Sequence, residues 1–181
     1  LKLHWRDDLS IQEKPDDERL HNLLFQNGSL SRSIEELCNG TFNIELQNES
    51  WSTPMLEENE LLTLIDNEIT FIRKSWLKCD DKKLVYARTV IPRITYEGES
   101  QDLMKLGNKP LGNILFSDNK TYRTNMQYAK IPLDHELHKQ ATLNTNIMTE
   151  LWGRQSLFYI HKNSLLVTEV FLPTILECRK S

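Results

Sequence analysis

Leu165-Leu-Val-Thr-Glu-Val-Phe-Leu-Pro173 and, one turn before it, Leu151-Trp-Gly-Arg-Gln-Ser-Leu-Phe-Tyr-Ile160 are the stretches whose reading decides the fold. Both are rich in β-branched and aromatic residues, and Lys162-Asn-Ser164 between them has turn chemistry, so they read as a strand pair closing the chain. Glu169 stands inside the second strand. A carboxylate buried there without a partner is costly, so a cation or hydrogen-bond donor should answer it.

Further back, Ile69 to Cys79 alternates with period two. Ile69, Phe71, Leu77 and Cys79 share one face, and Arg73 and Ser75 fall between them on that same face. Asp80-Asp-Lys-Lys83 then turns into Leu84-Val-Tyr-Ala-Arg-Thr-Val-Ile-Pro92, a β-hairpin signature. If Cys79 pairs with Leu84, Arg73 faces Val90 and lies diagonal to Arg88, so both guanidinium groups project from one face; a one-residue shift separates them.

Before these strands, Leu20, Leu23 and Leu24 follow an acidic cluster at helical spacing and meet a stop at Gly28. Leu30, Ile34, Leu37 and Cys38 share the face of a second helix, with Ser29 as its cap and Gly40 at its end. Phe42, Ile44 and Leu46 begin a strand, and Glu57 to Leu64 is a short acidic connection. Gly107-Asn-Lys-Pro-Leu-Gly112 is a loop opening onto a short helix from Asn113 to Phe116, and glycine there lets backbone N–H groups approach an anion. Tyr122 to Ile131 reads as one strand, and Pro132 to Thr149 as an inserted loop or short helix. Helices first and hairpins after predict an α+β fold: residues 1–181 as a single domain, an antiparallel sheet of about six strands with helices on one face, and a buried ligand pocket.

Composition narrows the function. With 181 residues, 39% of them hydrophobic, the chain can bury one substantial core. The net charge of −4 comes from interspersed acids and bases, which argues against a nucleic-acid partner. No apolar run is long enough to span a bilayer, and the first residues lack a signal-peptide pattern. Cys38, Cys79 and Cys178 have no metal spacing and read as reduced thiols of a cytoplasmic protein. His135 and His138 are close in sequence but have no third ligand nearby, so no zinc site is expected.

Gly28-Ser-Leu-Ser-Arg32, the Arg73 strand, Ala87-Arg-Thr-Val-Ile-Pro92, Lys105-Leu-Gly with Lys109-Pro-Leu-Gly112, Leu115-Phe116, Leu151-Trp-Gly-Arg154 and the Glu169 strand, in that order, resemble the chorismate–pyruvate lyase family over about residues 25 to 175. The resemblance implies conversion of chorismate to 4-hydroxybenzoate and pyruvate at the entry to ubiquinone synthesis, without metal or organic cofactor. It implies a monomer with a pocket behind helical flaps. Arg73 and Glu169 would bind by side chain, and Leu30 and Leu111 would line the pocket and offer backbone N–H. Leu30 replaces a methionine known in the family, a change of pocket shape more than of chemistry. A guanidinium fork suits one carboxylate of chorismate, which makes Arg73 the natural anchor. Glu169 either takes the C4 proton or, the favoured role, holds the 4-hydroxyl; Arg88 is a candidate for the second carboxylate.

Plainer readings stand beside these. Arg73 and Arg88 can be strand arginines on a solvated face, and Glu169 can pair with Arg154 across the terminal hairpin. The competing class is an effector-sensing domain of the same fold, which binds a small acid without transforming it. Such domains accompany a DNA-binding helix-turn-helix, for which the first thirty residues are too short.

Overall fold

The computed structural model describes residues 2–10, 13–65, 68–98, 107–117, 119, 121–124 and 126–178. Lys105 and Leu106, part of one resemblance motif, lie outside them. Seven strands make one antiparallel sheet: β1 (Phe42–Ser52), β2 (Thr70–Cys79), β3 (Lys82–Ile91), β4 (Thr121–Arg123), β5 (Gln127–Ile131), β6 (Leu151–Ile160) and β7 (Asn163–Phe171). Their order is β1-β2-β3-β7-β6-β4, with β5 also paired to β6. Two hairpins, β2–β3 and β6–β7, thus meet at β3 and β7 to form the centre. Each turns through two residues and begins at a left-handed position, Asp80 (φ 52°) or His161 (φ 55°), as tight hairpins require. The Asp80 carboxylate also accepts the Thr41 N–H at 2.8 Å, fastening the start of β1 to the turn.

The β2–β3 register differs from the expected one. Cys79 pairs with Lys82, and a bulge between Leu77 and Lys78 leaves Leu84 without a partner in β2. The tighter turn shifts the pairing by two residues and the bulge takes one back, so after a net step of one Arg73 meets Thr89 and Arg88 meets Lys74. Arg88 therefore points away from Arg73, to the opposite face of the sheet.

The expected strand Tyr122 to Ile131 is also interrupted. Arg123 pairs with Phe158 and Gln127 with Gln155, so four steps along this segment match three along β6, and β4 and β5 are separate strands on the same neighbour.

Helices α1 (Glu18–Phe25), α2 (Leu30–Leu37) and α5 (Leu111–Leu115) lie over the Arg73 face. Asp17 caps α1 and Ser29 caps α2 by accepting first-turn N–H groups. Leu24, Leu30 and Ile34 are buried against Ile44, Leu77, Val85 and Phe171, each such side chain contributing about 1.5–3 kcal/mol. The other face also carries helices, α3 (Leu56–Leu61) and α6 (Glu136–Ala141), with α6 formed within the Pro132 to Thr149 segment. Trp76, Tyr86, Leu137 and Ala141 pack there, and the Trp76 indole donates to the Ala141 carbonyl at 3.1 Å. Helix α4 (Arg93–Glu97) and a 3-10 turn (Pro173–Glu177) follow β3 and β7.

The cysteines correct a further expectation. Cys38, at the end of α2, and Cys79, at the end of β2, form a disulfide with Cα atoms 5.5 Å apart. The two are 41 residues apart in sequence and meet because β1 pairs Phe42 with Cys79. Only Cys178 is a free thiol among the described cysteines, so the thiols no longer point to a reducing compartment.

Candidate active site

Strand alternation and antiparallel register place a set of side chains on the face beneath α1, α2 and α5. Glu49, Arg73, Thr89, Val167 and Ser156 form one row across β1, β2, β3, β7 and β6. Two residues along, Ser75, Ala87, Glu169, Arg154 and Tyr128 form the next. Arg73 and Glu169 thus rise from the same face two strands apart, roughly 10 Å laterally at ordinary strand spacing.

Each is held by partners. Arg73 is 4% exposed; its Nη1 donates to Glu49, and its Nη2 donates to the Gly107 carbonyl at 2.6 Å and the Lys109 carbonyl at 3.5 Å. The loop before α5 is therefore fixed by the arginine it covers. The expected alternative for Glu169 is realised: Arg154 Nε donates to its Oε2 at 2.5 Å. Arg154 is 1% exposed, and its Nη1 donates to the carbonyls of Leu23, Leu24 and Gln26 at 3.0, 3.3 and 2.9 Å. A cation at the negative end of α1 docks that helix over the sheet. Pairing with Arg154 does not remove Glu169 from the cavity, whose wall it forms together with Arg73.

The rest of the lining is mostly apolar, with Ile44, Leu77 and Val167 from the sheet, Leu30 from α2 and Leu111 and Leu115 from α5, and Ser75 and Thr89 add hydroxyls between the two charged residues. Leu30 and Leu111 are the first residues of their helices, where backbone N–H groups have no carbonyl within the helix. The two helix starts abut closely, since a Cβ on Gly112 would stand 3.0 Å from Ser29 Oγ. An apolar slot with a guanidinium at one end, a carboxylate at the other and two helix starts above suits a small planar acid that carries a second polar group opposite its carboxylate.

Arg88 does not join this site. It is bound on the opposite face by Glu58 of α3, with Nε to Oε1 at 2.6 Å and Nη2 to Oε2 at 2.8 Å, both side chains buried. The correction follows from the odd register step described above. His135 and His138 also serve the far face: His135 contacts Glu57 at 3.1 Å and caps α6 through the Leu137 N–H, and His138 contacts the Thr149 carbonyl at 2.8 Å. Among the described residues no group of three His, Cys, Asp or Glu side chains could hold a metal ion. None of their helices is long and apolar enough to cross a membrane.

Arg123 of β4 was not singled out by the sequence, yet it lines the same cavity. Burial, and after it the nearby Arg154, lower its pKa from the ordinary value, while Glu169 opposes them. The break between β4 and β5 disrupts the alternation that could have assigned it to this face. Glu49, the partner of Arg73, is hidden in the same way by a register shift between Leu46 and Asn48.

Comparison with known proteins adds an independent line. A family model described as chorismate lyase matches residues 4–180. A probable chorismate pyruvate-lyase of Nitrosospira multiformis is 34% identical over 88% of this chain and 89% of its own length. One of Methylococcus capsulatus is 32% identical over 90% and 99%. Among solved structures, the effector domain of PhnF from Mycobacterium smegmatis superposes with a TM-score of 0.55 at 14% identity, covering 81% of this chain and 89% of that one. The ligand-binding domain of a putative GntR-family regulator from Bordetella bronchiseptica gives 0.53 at 12% identity, over 75% and 86%. At such identities the two structures share the fold alone.

Proposed function

We propose that this chain, which belongs to the chorismate lyase family, eliminates pyruvate from chorismate to give 4-hydroxybenzoate, the entry step to ubiquinone, without a metal or organic cofactor. The observation that carries the reading is that Arg73 and Glu169, two strands apart on one face of the sheet, line one mostly apolar cavity. In this reading Arg73 grips the ring carboxylate with the N–H groups of Leu30 and Leu111 beside it, and Glu169 receives the 4-hydroxyl. The C3–O bond breaks, the hydrogen at C4 is lost and the ring becomes aromatic, while the departing enolpyruvate takes a proton on its methylene carbon and becomes pyruvate. Aromatisation supplies the driving force, so the protein contributes mainly orientation and exclusion of water.

Glu169 acts here by positioning. Arg154 already occupies Oε2, leaving Oε1 to accept from the 4-hydroxyl and fix the ring. The first turn of α2 and helix α5 cover the cavity. The same reading carries with it a monomer working in the cytoplasm.

The test is incubation of the purified protein with chorismate in EDTA, following 4-hydroxybenzoate by absorbance and pyruvate through lactate dehydrogenase. Equal amounts of both products are expected. Tight binding of chorismate or 4-hydroxybenzoate without pyruvate would instead make the protein a sensor.

A further inference from the structure

Chorismate is a dicarboxylate, whereas 4-hydroxybenzoate carries one carboxylate. Arg73 and the two helix starts answer the ring carboxylate only, and Arg88 lies on the far face. Apart from Arg73, the described cations lining the cavity are Lys109 and Arg123. Lys109 belongs to the loop that Arg73 holds, at the Arg73 end.

Arg123 lies elsewhere. It pairs with Phe158 of β6, and its guanidinium stands 5.2 Å from the Phe116 ring centroid and 5.5 Å from that of Phe158. It donates to the Asn27 carbonyl, in the connection between α1 and α2. Among the described residues no carboxylate lies within ion-pair distance of it. Arg123 also lines a neighbouring surface depression with Asn27, Phe116 and Thr124, so it borders both the cavity and solvent. In chorismate the enolpyruvyl ether is on C3, next to the hydroxyl-bearing C4. A ring held with its 4-hydroxyl at Glu169 therefore carries its second carboxylate at the Glu169 end, and the Arg123 guanidinium reaches near enough for Glu169 and Arg154 to act on its charge.

We propose that Arg123 binds the enolpyruvyl carboxylate of chorismate, making it the residue that distinguishes the dicarboxylate substrate from the monocarboxylate product. Two aromatic rings and the Asn27 carbonyl pre-orient its guanidinium, which reduces the ordering cost of gripping a carboxylate. After the C3–O bond breaks, Arg123 holds only pyruvate, beside the neighbouring surface depression. The inference rests on the chorismate-lyase reading above.

The experiment compares two ligands in one variant. In Arg123→Gln, kcat/KM for chorismate is expected to fall roughly ten- to a hundredfold, the range for losing one charge-assisted contact. The inhibition constant of 4-hydroxybenzoate should stay within about twofold, and Arg123→Lys should recover part of the loss. Arg73→Gln, by contrast, should weaken both ligands. Equal weakening of chorismate and 4-hydroxybenzoate by Arg123→Gln would make the residue a structural wall and overturn the proposal, as would no change in either. Absence of turnover in the wild-type protein would instead refute the chorismate-lyase reading itself.

Discussion

Arg88→Met separates a structural arginine from a functional one. Arg88 and Glu58 form a two-pronged pair at 2.6 and 2.8 Å, and their side chains are 4% and 3% exposed. Glu58 also accepts the Met55 N–H at 2.7 Å, tying the start of α3. Removing the guanidinium leaves a buried carboxylate uncompensated, which costs about 3–5 kcal/mol. At about 2–4 °C per kcal/mol for a chain of this size, the melting temperature should fall by roughly 6–20 °C. Thermal and urea unfolding measure the loss, and chorismate turnover is assayed well below the transition. Both kcat and KM should stay within about twofold, because the site is on the other face of the sheet. The double variant Arg88→Met with Glu58→Leu should regain much of the stability, since no orphaned charge remains. A variant that melts like wild type but binds chorismate poorly would refute this reasoning and return Arg88 to the site.

Glu169→Gln should lower kcat by about ten- to a hundredfold with the fold intact by circular dichroism; a loss beyond about 10³ would make the carboxylate a general base instead of a positioning group. Cys38→Ser opens the 41-residue disulfide loop and should cost about 4 kcal/mol by chain entropy. Wild-type melting should therefore drop in dithiothreitol, and melting indifferent to reductant would rule out a stabilising bridge. Gly153→Ala places a Cβ 2.6 Å from Ile131 Cδ1 between β5 and β7, so overpacking should destabilise by about 1–3 kcal/mol in urea unfolding. A neutral result there would mean that Ile131 repacks freely.

Much of the fold was legible because its signals are local. Period-two alternation marks the strand around Arg73, a run of apolar and β-branched residues marks the one around Glu169, and Ser29 and Gly28 punctuate the first two helices. The charged residues of the site stood out for the same reason, as breaks in an apolar pattern at Arg73 and Glu169. Pairing partners were not legible in this way. Arg154 could be proposed for Glu169 because a short hairpin joins their strands, but that Cys38 reaches Cys79, that Arg88 faces Glu58 and that Arg123 enters the cavity all depend on register. Register accumulates over turn lengths and single-residue bulges, as at Leu84 and between Arg123 and Gln127, and each odd step exchanges the two faces of a strand. The sequence by itself determined which segments are strands and which residues are out of place in them. Only the tertiary structure decided which face each one occupies, because side-chain direction within a sheet is a parity set jointly by both paired strands.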